Sequence, residues 1–126
     1  MNKYHNQHVR TSDGIVHDSQ REAVRWQQLK LLERAGKIVN LKRQVKYILI
    51  PAQREPDTIG KRGGVKQGKL LEREVAYIAD FEYQDKETGR LVVEDVKGYK
   101  GGGAYMIFTI KRKLLLWVHG IRVREV

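Results

Sequence analysis

The segment Leu91–Lys97, LVVEDVK, combines residue types and spacing that could do chemistry. Its apolar, β-branched residues read as a strand, and side chains alternate faces along a strand. Leu91, Val93, Asp95 and Lys97 therefore share one face, while Val92, Glu94 and Val96 share the other. An acid and an amine two residues apart, at the end of an apolar strand, suit phosphodiester hydrolysis. Carboxylates hold a hard divalent cation, which activates water and offsets charge on the phosphate. A neighbouring ammonium orients that water or stabilises the transition state. Asp80 is the second acid, set between Ala79 and Phe81 in the apolar run Glu74–Tyr83. If the two runs pair as a hairpin across the turn Asp85–Gly89, Asp80 reaches the side of Asp95. Two buried carboxylates repel, and magnesium, which takes oxygen ligands at ~2.1 Å, resolves the conflict. The competing reading of Asp95 and Lys97 is a surface ion pair worth about 0–1 kcal/mol. Glu94 faces away from Lys97 and reads as structural.

The elements that must position these groups are legible in outline. Ser19 is a good N-cap and Glu22 stands three residues later, as in a capping box. Strong helix formers run from Gln20 to Ala35 and stop at Gly36, with Glu22, Trp26, Leu29 and Glu33 on one stripe. Ile38–Ile50 reads as a strand closed by Pro51. Residues 51–73 read as a long, mobile basic loop carrying both prolines and four glycines. The strands Glu74–Tyr83 and Leu91–Lys97 follow, then the glycine-rich GYKGGG. The periodicity predicts a second helix over Ala104–His119 with Ile107, Ile110, Leu114, Trp117 and Val118 as its buried stripe. Both Trp26 and Trp117 are read as core. Gly120 ends this helix, and Ile121–Val126 is a short last strand. The order, helix, three strands, helix, strand, predicts an α/β (α+β) fold with a mixed sheet in one domain spanning residues 1–126, preceded by a polar segment over 1–18.

Asp80, fourteen residues, then Asp95-Val96-Lys97 resembles the D…(D/E)-x-K pattern of the PD-(D/E)XK nuclease superfamily, and the element order is similar to its αβββαβ core. DG-IVHDSQREA (Asp13–Ala23), LKLLERAGKIVNLKRQVKY (Leu29–Tyr47), YIADFEY (Tyr77–Tyr83) and VVEDVKG (Val92–Gly98) resemble a small phage-rich family of restriction-endonuclease-like proteins. This resemblance covers most of the chain. It implies a magnesium-dependent DNA endonuclease, with manganese able to substitute, acting on branched or structured DNA in phage replication or recombination. Asp80 and Asp95 would be metal ligands, joined by the Val96 carbonyl, and Lys97 would assist the attacking water. Glu22 matches the helix glutamate placed beside the metal, and Lys111 the auxiliary residue on the second helix. Ala79 stands where the pattern has proline, and Asp95 where glutamate is more frequent.

Composition fits a polyanion partner. Lys and Arg number 25 against 15 acids in 126 residues, for a net charge of +10, and such an excess favours nucleic acid through counterion release. With no cysteine, disulfides and thiolate zinc sites are excluded. His5, His8, His17 and His119 show no metal-ligand spacing, and His5 and His8 read as part of the polar terminal segment. No apolar run approaches the ~20 residues of a membrane span, and the polar opening MNKYHNQHVR reads as lacking a signal peptide, so the expected compartment is the cytoplasm. GGVKQGK (Gly63–Lys69) has most of a phosphate-binding P-loop, but Leu70 stands where Ser or Thr would hold magnesium. Lys61, Arg62, Lys66 and Lys69 there, and Lys100 in the second glycine loop, are expected to touch the DNA backbone. A homodimer would offer two active sites for two strands. The rival reading is a nucleic-acid-binding module on the same fold that does not cut.

Overall fold

In the computed structural model, residues 8–98 and 100–126 are described; His5, the rest of the opening heptapeptide and Tyr99 lie outside the described residues. The chain runs β1 (Val9–Arg10), β2 (Val16–His17), α1 (Gln20–Arg34), β3 (Ile38–Ile50), β4 (Gln53–Arg54), β5 (Thr58–Ile59), β6 (Val65–Lys66), β7 (Leu70–Glu72), β8 (Val75–Asp85), β9 (Leu91–Asp95), α2 (Gly102–His119) and β10 (Val123–Glu125). A four-stranded sheet has the order β10-β9-β8-β3. Its β3–β8 and β8–β9 pairs are antiparallel and its β9–β10 pair is parallel. The fold is thus mixed α+β with a mixed sheet and two helices.

Local chemistry explains the main elements. Ser19 Oγ accepts the Glu22 N–H at 3.1 Å and starts α1. The helix ends where Gly36 takes φ +74°, with the Lys37 N–H donating to the Leu32 carbonyl at 3.0 Å. The Glu22, Trp26, Leu29 stripe is buried as its spacing predicts. Trp26 and Leu29 pack on Ile38, Phe81 and Tyr83, with Val92 and Val96 of the β9 segment against them. On the other face of β9, Val93 joins Phe108 and Leu115 of α2 with Leu49, Tyr77 and Ala79. The two helices therefore sandwich β9. Odd-numbered residues of β8 serve both cores: Tyr77 and Ala79 meet α2's, Phe81 and Tyr83 meet α1's, and Asp80 falls between.

Two sequence expectations need correction. The buried face of α2 consists of Phe108 and Leu115, with Tyr105 and Leu114 partly covered. Ile107, Ile110 and Val118 are exposed, and Trp117 is 86% exposed rather than core. The predicted stripe is real as a pattern, but the helix presents Phe108 to the sheet because Tyr77, Tyr105 and Lys97 make an aromatic and cationic seat for that ring. The second correction concerns residues 51–73, which are folded. β4 pairs with β7 and β5 with β6, making a two-tiered β arm closed by a turn in which the Gly60 N–H donates to the Gly64 carbonyl at 2.7 Å. Gly68 is required here, since a Cβ would lie 1.7 Å from the Glu55 carbonyl oxygen.

Candidate active site

The register of β8 and β9 ends at Phe81↔Glu94, so Asp80 and Asp95 are the next pair, at the point where the strands part. The Val96 N–H, freed by that parting, donates to Asp80 Oδ2 at 2.8 Å. Asp95 is buried; Tyr77 Oη donates to its Oδ2, and Lys97 Nζ stands 3.0 Å from its Oδ1. Lys97 in turn lies 3.6 Å from the centroid of the Phe108 ring, so α2 fixes the ammonium from behind. Burial first, and then the charge of Asp95, push the Asp80 carboxyl well above the usual range.

Glu22 enters from α1. Its side chain does not complete a capping box; Oε1 instead accepts Gln44 Nε2 at 3.1 Å, with His17 Nδ1 and an Arg43 guanidinium nitrogen each at 3.9 Å. Burial and then Asp18 raise its pKa, and Asp95 adds to the rise, as Glu22 adds to that of Asp80. The three acids of the predicted set thus fall within one electrostatic neighbourhood. Among the described residues, no group of three or more His, Asp or Glu side chains is placed so that it could hold a metal ion.

Several contributors escaped the sequence reading. Gln44 has φ 54°, a left-handed conformation uncommon outside glycine, and the register on either side, Arg43↔Phe81 and Val45↔Ala79, sets it across from Asp80. His17 is fully buried, its Nε2 lies 3.3 Å from Thr11 Oγ1, and its Nδ1 has no partner in the described structure. Burial and then Arg43 lower its pKa, so it sits as a neutral imidazole. The β1–β2 hairpin delivers this histidine, and Asp13 anchors the hairpin to Trp26 Nε1 at 2.6 Å. Glu94 is buried and bound from two sides: Arg25 grips both its oxygens at 2.7 and 2.6 Å, and Tyr83 Oη donates to one.

The basic residues are placed apart from the acids. Lys61 and Arg62 lie at the tip of the arm, Lys66 on β6 and Lys69 before β7, all exposed. The arm leaves the sheet at Ile50 and Val75, about five residues or roughly 17 Å of strand from Asp80. Lys100 is exposed ahead of α2, and Lys111 is half-buried one turn beyond Phe108. A cleft of about 480 Å³ opens along α1, lined by Gln20, Arg21, Val24, Arg25, Gln28 and Val96. Arg21, exposed on α1, lies near Gly98.

Fold and site define a mixed α+β protein with a buried acid cluster beside a seated lysine. Residues 1–119 match the model of a family described as a protein of unknown function, DUF1064, and the chain belongs to that family. Searches of curated proteins and of solved structures find no match.

Proposed function

We propose that the protein is a metal-dependent DNA endonuclease built on a restriction-endonuclease-like core, hydrolysing phosphodiester bonds at Glu22, Asp80, Asp95 and Lys97. The observation that carries the reading is the meeting of Asp80 and Asp95, the next facing pair where β8 and β9 part, with Lys97 Nζ 3.0 Å from Asp95 Oδ1. Like-charged carboxylates pressed together in a buried place form a costly arrangement. A hard divalent cation, magnesium or manganese, fits this all-oxygen donor set and relieves the cost. Asp80, Asp95, Glu22 and the Val96 carbonyl would hold it, and when bound it supplies an activated water and charge neutralisation at the phosphate.

The protein's own groups do the rest. Lys97, held over Phe108, orients the water and carries positive charge toward the scissile phosphate. Gln44 fixes the rotamer of Glu22, and Tyr77 that of Asp95. The cleft along α1 shares Val96 with the site, and Arg21 in its lining meets a phosphate. The exposed arm, with Lys61, Arg62, Lys66 and Lys69, holds flanking duplex, in keeping with the +10 net charge. Branched or structured DNA is the proposed substrate, since so small a chain offers little surface for reading base sequence.

The absence of finished ligand geometry among the described residues favours a second reading, a nucleic-acid-binding module that does not cut. Incubating the protein with supercoiled plasmid, single strands and four-way junctions, in magnesium, manganese or EDTA, separates the two. Cutting should require the metal, and Asp95→Asn should abolish it while DNA binding persists. Undiminished cutting by that variant would defeat the nuclease proposal; binding with no cutting under any metal would establish the second reading. As for location, no helix among the described residues is long and apolar enough to cross a membrane.

A further inference from the structure

We propose that the outward face of α2 is a two-fold interface with a second copy of this chain. The face is the stripe whose periodicity predicts burial. Ile107, Ile110, Leu114 and Trp117 recur at alternating steps of three and four, the spacing by which one helix packs along another. Within the chain only Leu114 is partly covered; Ile107 is 58%, Ile110 59% and Trp117 86% exposed, and Met106 beside them is 67% exposed. The pattern specifies a buried seam, and the chain's own sheet does not bury it.

The size of the face suits a copy of itself. These side chains present on the order of 600 Å² of apolar surface, at the upper end of what a monomer usually shows. Stable interfaces take about 600–1,000 Å² from each partner, so the seam reaches the lower end of that range. Isoleucine and leucine along the middle, tryptophan and methionine at the two ends, and charge beside them match the apolar, aromatic and methionine-rich make-up of an interface. A membrane-surface helix would instead need a bank of free cations along its polar face. On α2, Arg112 is tied to Glu125 at 3.4 Å, Lys111 is half-buried, and Lys113 alone lies open beside the seam. The inner face of the same helix carries Phe108, which seats Lys97. A helix is about 10–12 Å across. Pairing two copies of α2 thus sets two acid clusters on either side of one helix pair, the arrangement needed to address two strands. The inference itself stands on the exposed seam and does not require that the clusters cut.

Sedimentation velocity on the whole chain tests it. The wild type should sediment at twice the 14.7 kDa of one chain, and added salt should strengthen the association because the facing Lys113 residues are screened. Ile110→Glu should weaken it by about 100-fold or more, with an unchanged circular dichroism spectrum, since the position is exposed within a single chain. The chain has no cysteine, so single cysteines placed at Ile107, Ile110 or Trp117 report the partner directly. At least one should form a disulfide-linked dimer on mild oxidation, whereas Glu87→Cys, in the β8–β9 turn, should not. A wild type that stays monomeric up to its solubility limit would overturn the proposal. So would a dimer indifferent to Ile110→Glu, or a monomer that co-sediments with phosphatidylglycerol vesicles and is released by salt.

Discussion

Replacing Asp80 with asparagine should stabilise the metal-free protein at alkaline pH and make no difference in acid. Burial, and then Asp95, push the carboxyl from 3.8 up to about 8. A group whose folded pKa is raised binds its proton more tightly in the folded state. Its contribution to stability is therefore complete below the unfolded value and is lost as pH climbs toward the folded one. Each unit is worth about 1.4 kcal/mol, so a rigid, dry site would lose about 6 kcal/mol between about pH 4 and 8. Asp80 is partly exposed, so solvent screens the charged form and brings the expected loss to about 2 kcal/mol. Asparagine carries no charge, and its amide oxygen still accepts the Val96 N–H. In EDTA at about pH 8 the variant should be more stable by about 2 kcal/mol, a rise of about 6–10 °C in Tm for a domain of this length. His17 titrates in the opposite sense, since burial lowers its pKa, but it is common to both proteins and cancels in the comparison. Urea unfolding followed by circular dichroism from about pH 4.5 to 8, in EDTA and in magnesium, measures the difference. Magnesium should stabilise the wild type by mass action and the variant far less. Parallel curves at every pH, or a variant weaker than wild type at alkaline pH in EDTA, would show that Asp80 is not a charge under strain.

Arg25→Met should cost about 3–5 kcal/mol because it strands the buried Glu94 carboxylate; adding Glu94→Gln should recover part of that in the same urea assay. Gln44→Gly should raise stability by about 0.5–1 kcal/mol, since glycine accepts φ 54° without strain. Its loss of the 3.1 Å bond to Glu22 should lower plasmid cleavage by about 10–100-fold. A stabilised Gln44→Gly variant that cuts at full rate would free Glu22 of its supposed positioning.

Elements with strong local signals were legible in the sequence, and groupings made by tertiary structure were not. Ser19, the Glu22–Leu29 stripe and Gly36 bounded α1 correctly, and the β8–β9 hairpin followed from two apolar runs and a turn. That hairpin is why Asp80 and Asp95 could be placed together. The two- and three-residue strands of the arm are too short to show an alternating pattern, and both their faces meet solvent. For α2, periodicity found the seam but could not tell a partner in the chain from one outside it. His17, Arg43 and Gln44 gave no sign of converging on Glu22. His17 lies on β2 and Arg43 and Gln44 on β3, both remote from α1 in pattern, and a left-handed glutamine in a strand has no sequence mark.

The position of Asp80 between the two cores has a consequence for how the halves of the molecule communicate. One core fastens α1, bearing Glu22, to one end of β8; the other fastens α2, bearing the support of Lys97, to the opposite end. Any slight shear of one packed block past the other changes the gap among the carboxylates before it changes anything else. An ion drawing those oxygens inward would act as a rivet across the join, and its grip would be felt as stiffness throughout both blocks.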